Sequence, residues 1–273
     1  VREVLVLGAT GTTGSRVAAA LTSQGVPVRA ATRTPREPAQ VRFDWADRDT
    51  HKVALDGAAA VYLVAPIGAA DPAPMVELFL QDAVDLGVRR VIALSSSALP
   101  EGAPGLGQVH HLVRTMMPEW AVLRPSWFMQ NFTGDHVVAQ GVRRGVIVTA
   151  TGTGRIAFVD AGDIAAVAVR ALTDDVPHNT EHLITGPQAL SYADTTLVVS
   201  EFVDHPVRHR PVSAATFAAL LTGSGVPADF AEILAALDTE IAGGAEDRLT
   251  DTVFEVTGRA PVSFREFCAA AFC

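Results

Sequence analysis

Apolar and polar positions fall in blocks along this chain, and the blocks predict strand, turn and helix in repeating order. Val4-Leu5-Val6-Leu7 is an unbroken apolar run, as in a strand covered on both faces. It leads into Gly8-Ala9-Thr10-Gly11-Thr12-Thr13-Gly14, and a helical pattern over residues 12–23 stops near Gly25. Residues 28–32 read as a second strand, 41–43 as a short third and 50–55 as a helical turn. The apolar run 59–65 reads as a buried fourth strand. Across 72–86, Met75, Leu78, Phe79 and Leu86 repeat near the helical period, with Asp82 as a polar break and Gly87 as the stop. Residues 91–94 form a fifth strand ending in Ser95-Ser96-Ser97; a helix over 107–117 then leads to a strand at 121–123. Strands alternating with helices predict an α/β fold of Rossmann type, a doubly wound parallel sheet.

After Pro125 the pattern changes. Short strands are expected at 146–149 and 156–158, and Asp163 is placed to cap a helix running to Leu172. Further helices begin near Ser191, Ser213, Asp229 and Ser263; Ser191 with Asp194, and Ser263 with Glu266, have capping-box spacing. Gly223-Ser224-Gly225 and Gly243-Gly244 punctuate loops. The expected division is a dinucleotide-binding domain at 1–124, with 150–172 returning to it, and a smaller C-terminal substrate lobe from 125–149 and 173–273. Phe217, Leu220, Leu221, Phe230, Ile233 and Leu237 suit helices that roof a substrate slot.

Composition narrows the classes. The chain has 273 residues, and 49% apolar content excludes a disordered chain. A formal charge of −9 argues against a nucleic-acid partner, which needs a basic face. The longest apolar stretch, 58–70, is broken by Pro66 and Gly68 and too short to span a bilayer. No charged-then-apolar leader precedes the first strand, and the two cysteines, Cys268 and Cys273, suit a reducing compartment, so a cytoplasmic monomer or homodimer is expected. The pairs His178/His182 and His205/His209 have the spacing with which a helix could aim two imidazoles at a metal. Pro177 and Pro206 interrupt such helices, and no metal site is expected.

The opening segment carries the chemistry. A buried strand, a glycine turn and a helix start make a phosphate cradle. Gly8, Gly11 and Gly14 let the backbone turn and approach a pyrophosphate, and Thr10, Thr12 and Thr13 add hydroxyls near it. The end of the second strand meets the adenine ribose, where a carboxylate suits NAD(H) and an arginine suits the extra phosphate of NADP(H). The chain has Thr32-Arg33 there and no carboxylate until Glu37, so NADP(H) is favoured, with NAD(H) open. Asp44 is placed to contact adenine. Ala65-Pro66 at the end of the fourth strand lies along the nicotinamide half.

These residues resemble the short-chain dehydrogenase/reductase superfamily, and more narrowly its atypical NmrA-like branch. The resemblance rests on Gly8–Gly14 with Ser15, Arg33, Ala65-Pro66, Leu123-Arg124-Pro125-Ser126-Trp127-Phe128-Met129-Gln130-Asn131-Phe132 and Phe158-Val159-Asp160-Ala161-Gly162-Asp163-Ile164-Ala165. It covers about residues 1–190. The segment 120–132 is similar to festuclavine-dehydrogenase-type ergot alkaloid reductases and their bacterial relatives. The superfamily's usual site pairs a serine with Tyr-x-x-x-Lys, the lysine lowering the tyrosine pKa for proton exchange. Here the tyrosines are Tyr62 and Tyr192, and neither precedes Lys52, the one lysine, by four residues. At the matching helix, where NmrA-like proteins often carry a lysine four residues before a glutamate, stand His110 and Arg114. His110 is either a proton donor near neutral pH, a ligand of the nicotinamide ribose, or a packed helix histidine. Ser96, in the place of the superfamily serine, is expected to hydrogen-bond a substrate carbonyl, and Ser95 and Pro125 complete the expected cofactor contacts.

Trp127, Phe128, Asn131 and Phe132 are expected substrate contacts, an apolar slot for a small planar hydrophobic molecule with Asn131 orienting a polar group. Without the tyrosine–lysine pair, hydride transfer suits an acceptor that needs little acid help: a quinone, an enone or an iminium. The expected function is an NAD(P)H-dependent reductase, plausibly a tailoring step in specialised metabolism. Two other readings stay open: a non-catalytic NADP(H) sensor of the NmrA-like kind, and an oxygenase that tailors aromatic polyketides on this fold.

Overall fold

The computed structural model describes residues 3–66, 68–69 and 71–272; Ile67, Ala70 and Cys273, named above or within the apolar stretch, lie outside them. In chain order the elements are β1 (Glu3–Val6), α1 (Gly14–Ser23), β2 (Val28–Thr32), β3 (Gln40–Arg42), α2 (Asp49–Leu55), β4 (Ala58–Val64), α3 (Ala73–Asp85), β5 (Arg90–Leu94), α4 (Leu106–Met116) and β6 (Glu119–Pro125). A short 3-10 turn, Met129–Phe132, precedes α5 (Val137–Arg144), β7 (Val146–Thr149), β8 (Arg155–Ile156), α6 (Ala161–Thr173), β9 (Thr180–Ile184), β10 (Leu190–Ser191) and α7 (Tyr192–Val199). The chain ends with β11 (Arg208–Pro211), α8 (Ala214–Gly223), α9 (Ala228–Ala242), α10 (Thr252–Thr257) and α11 (Phe264–Phe272).

Seven strands form one parallel sheet in the order β3-β2-β1-β4-β5-β6-β9. Strand order reverses between β1 and β4, which opens a crevice beyond their carboxyl ends. Alternation along the strands sends successive side chains to opposite faces. Leu5, Leu7, Val61 and Leu63 join Phe79 and Leu80 of α3 and Val109 and Val113 of α4 in one buried cluster. Each such Leu, Val or Phe contributes roughly 1.5–3 kcal/mol by leaving water. Helices α2, α3 and α4 pack in series, and α1, α6 and α10 form a second series.

The chain divides into two compact units. The first takes Val1–Pro125, Ala161–Ile184 and Thr252–Gly258; the second takes Ser126–Asp160, Thr185–Asp251 and Arg259–Cys273. This corrects the expected boundaries. Residues 150–160 belong to the second unit, where β8 pairs with β10. Residues 173–184 belong to the first, because β9 extends the sheet beside β6, and α10 returns to pack on α6 and β9. In the second unit β7 and β11 pair in parallel, and Met129, Phe132, Phe158, Tyr192 and Phe264 make the main core.

Both expected capping boxes are present. Ser191 and Asp194 exchange bonds of 2.9 and 3.1 Å, and Ser263 and Glu266 exchange bonds of 2.8 and 3.2 Å. Asp163 sits inside the first turn of α6, fully buried, rather than ahead of the helix. No helix among the described residues is long and apolar enough to cross a membrane.

Candidate active site

The glycine turn is built by close approach. Gly8 adopts φ of 62°, the left-handed region, and its carbonyl accepts the Gly11 N–H at 2.8 Å. A Cβ on Gly14 would lie 2.2 Å from that same carbonyl, so only glycine lets α1 begin against the turn. No side chain caps the N-terminus of α1. Thr13, at the cap position, is buried and its hydroxyl accepts the Tyr62 hydroxyl proton at 3.0 Å. The fully buried tyrosine of β4 takes one lone pair of that hydroxyl, whose own proton is left to donate elsewhere. Thr10 and Thr12 stand exposed on the turn.

The turn forms one end of a cleft of about 640 Å³ in the first unit. Gly8, Thr10 and Gly11 line it together with Arg33, Asp44, Ala65 and Pro66, so residues distant in sequence meet there. Arg33, just past β2, is exposed. Asp44 shapes its own loop: its carboxylate accepts the Ala46 N–H at 3.0 Å, and its carbonyl bonds His51 Nε2 at 3.0 Å. Sequence reasoning missed Trp45, also on the wall. Its indole N–H donates to the Val64 carbonyl at 3.2 Å, and its ring meets Phe43 and Phe79 edge-on at 5.1 and 5.3 Å. The signal was an aromatic pair, Phe43 and Trp45, alternating around the end of a strand whose carboxyl edge faces a ligand crevice.

The uncapped helix end and the glycine backbone offer an anion site, with the Arg33 guanidinium one strand away, which fits a dinucleotide carrying a pyrophosphate. Among the described residues lining the cleft there is no tyrosine, lysine or histidine. Tyr62 is buried in β4, where loss of water pushes its hydroxyl pKa upward, and burial does the same to Tyr192 in the other unit. Lys52 lies on α2, 3.5 Å from Asp82.

Ser95, Ser96 and Ser97 leave β5 at the carboxyl edge. The Ser95 hydroxyl is buried without a hydrogen-bond partner, whereas Ser96 Oγ accepts the Ala98 N–H at 3.3 Å. Pro125, ending β6, accepts the Ser97 N–H through its carbonyl at 2.9 Å. His110 does not line the cleft. It is 2% exposed, its Nδ1 lies 3.7 Å from Glu181 Oε2, and its ring tilts over Trp120 at 6.2 Å. Burial lowers its pKa, with Glu181 pulling the other way. Buried and away from the cleft lining, His110 has the surroundings of the packed alternative.

A model of the NAD(P)H-binding family matches residues 8–175. The chain is 45% identical to an uncharacterized oxidoreductase, YesF, of Bacillus subtilis, over 98% of its own length and 94% of that protein. It is 36% identical to festuclavine synthase II of Penicillium roqueforti over 96% of each chain. This chain belongs to the NAD(P)H-binding family. Among solved structures, an NADPH-dependent quinone oxidoreductase from Escherichia coli, in complex with NADPH, shares the fold with a TM-score of 0.84 at 22% identity, each chain covered in full. The family and its oxidoreductase relatives give this chain an NAD(P)H-binding oxidoreductase fold.

In the second unit of this NAD(P)H-binding family member, Trp127, Phe128 and Asn131 are half-buried. Phe132 is not a slot wall. It is 1% exposed, stacked 6.0 Å from Tyr192 and edge-on to Phe264 at 4.8 Å, and it belongs to the core. A separate hollow of about 540 Å³ lies between α8 and α9 and is lined mostly by alanines. Cys268 is buried, which pushes its thiol up to about 12 and leaves it unreactive.

Proposed function

We propose that this chain is an NADP(H)-dependent reductase that passes hydride to a planar, electron-poor acceptor: a quinone, an enone or an iminium. One observation carries the reading. The groups that would protonate an alkoxide are withdrawn from the cofactor cleft: Tyr62 and Tyr192 are buried in cores and Lys52 sits by Asp82 on α2. An acceptor that delocalises the incoming electron pair needs least from such groups. Likeness to a quinone oxidoreductase and to a festuclavine synthase supports that acceptor class and a tailoring step in specialised metabolism.

In this reading the backbone of Gly8, Gly11 and Gly14 holds the pyrophosphate and Arg33 the ribose phosphate. Asp44 and Trp45 bound the adenine end, and Ala65, Pro66, Ser95 and Pro125 the nicotinamide end. Bound in reduced form, the dinucleotide supplies the hydride. Ser96 offers a hydrogen bond to a carbonyl oxygen of the acceptor.

Stopped-flow oxidation of bound NADPH by a panel of quinones, enones, cyclic iminium salts and simple ketones tests this. Fast oxidation by one of the first three classes, with ketones inert, is expected. Ketone turnover overturns the acceptor class. Tight binding with no oxidation across the panel favours an NADP(H) sensor instead, and substrate-dependent oxygen uptake an oxygenase.

A further inference from the structure

Arg124, near the end of β6, is 9% exposed, and its guanidinium works in three directions. Nη2 donates to the Ser97 carbonyl at 3.0 Å and Nε to the Ser96 carbonyl at 3.3 Å. Nη1 donates to both carboxylate oxygens of Glu181 on β9, at 3.0 and 2.9 Å. The same turn is tied to β6 by its backbone, Ser95 N–H to the Leu123 carbonyl at 2.7 Å and Ser97 N–H to that of Pro125 at 2.9 Å. One planar fork thus joins the exit of β5, the exit of β6 and the edge strand β9. His110 closes the back of the bracket through its approach to Glu181.

What the bracket holds has chemical content. Ser95 carries a buried hydroxyl with no partner, a costly state that invites a functional explanation. Ser95 and Ser96 sit at the carboxyl edge of a parallel sheet, where ligands of such sheets bind. Two carbonyls and a carboxylate around one side chain match the forked donors of a guanidinium, and a lysine's point charge cannot meet all three.

We propose that Arg124 is a positioning residue for hydride transfer: its fork, charged against Glu181, fixes the Ser95–Ser97 turn so that the Ser95 and Ser96 hydroxyls keep their places at the nicotinamide end. The proposal rests on the reductase reading for its kinetic part only. Arg124→Lys keeps the charge and loses the fork; Glu181→Gln keeps an acceptor for Nη1 and is the milder variant.

The experiment reads three quantities on each folded variant: amide hydrogen exchange at residues 95–98 of the free protein, the dissociation constant of NADPH by fluorescence, and kcat with its primary deuterium isotope effect from 4-deuterated NADPH. For Arg124→Lys, exchange at 95–98 accelerates, and NADPH affinity stays within about threefold because the glycine turn and Arg33 are untouched. Its kcat falls about 10- to 100-fold with a raised isotope effect, as misplacement of a reacting group produces. Glu181→Gln moves the same readouts less. Unchanged exchange at 95–98, or a wild-type kcat and isotope effect in Arg124→Lys, overturns the proposal. A wild type that fails to oxidise NADPH with every acceptor of the panel defeats the reductase reading instead, and the exchange measurement still decides whether Arg124 holds the turn.

Discussion

At the scale of single residues the cofactor side turns on Arg33. It is exposed on the cleft wall just past β2, with Thr32 before it and no carboxylate before Glu37. A ribose phosphate there meets a charge-assisted hydrogen bond of about 1.5–3 kcal/mol, whereas a ribose hydroxyl gains much less. Arg33→Ala is therefore expected to weaken NADPH binding about 10- to 100-fold and to leave NADH binding within about twofold, both read by titration calorimetry. An unchanged ratio of the two constants removes Arg33 from cofactor choice. That Gly8, Thr10, Gly11 and Arg33 line one cleft was legible, because their places in a strand–turn pattern bring them together. The surroundings of His110 and Phe132 were not. Whether a helix histidine faces a cleft or a neighbouring strand depends on Glu181 and Trp120, and whether Phe132 faces a slot or a core depends on Tyr192 and Phe264.

Between elements, the bond from Tyr62 of β4 to Thr13 at the start of α1 locks the phosphate turn to the sheet from below. Thr13→Val removes the acceptor and leaves the Tyr62 hydroxyl buried and unpaired, at about 1–3 kcal/mol. Chemical denaturation is expected to show that loss, with the NADPH dissociation constant within about twofold. Weakened NADPH binding at unchanged stability would assign the hydroxyl to the phosphate. The elements themselves were largely readable: β1, β2, β4 and β5 follow apolar runs, and the helices between them end at glycines. What escaped was β9, the helices α5 and α10, and β11. Thr-Glu-His-Leu-Ile of β9 lies at the sheet's edge, half in solvent, so it carries neither an apolar run nor clean alternation. Arg-His-Arg-Pro of β11 has no apolar residue besides its proline, and only its backbone pairing with β7 makes it a strand.

Across the whole molecule, the two units carry buried groups whose titrations oppose one another. Asp238 on α9, in the second unit, is buried with its carboxylate accepting the Ala150 N–H at 2.7 Å; burial lifts its pKa from 3.8 to about 6. The native state therefore favours the neutral acid. Its contribution is full below pH 4 and is lost as pH rises through 6, a fall of roughly 3 kcal/mol. His182 on β9, in the first unit, is pushed down from 6.5 to about 4 by burial and by His178, whose Nδ1 lies 2.8 Å from its Nε2. Its native state favours the neutral ring, so that contribution is full above pH 6.5 and is lost as pH falls through 4. Other shifted groups, such as His209, are common to wild type and variant and cancel in a comparison. Asp238→Asn keeps an acceptor for the Ala150 N–H and should gain on the wild type as pH rises from 4 to 7.5, by roughly 3 kcal/mol in urea unfolding. His182→Gln should gain on the wild type in the other direction, as pH falls. A pH-independent difference for Asp238→Asn shows that the carboxyl ionises as easily in the fold as out of it. Two slopes of opposite sign show that one change in acidity loads the two units in opposite senses.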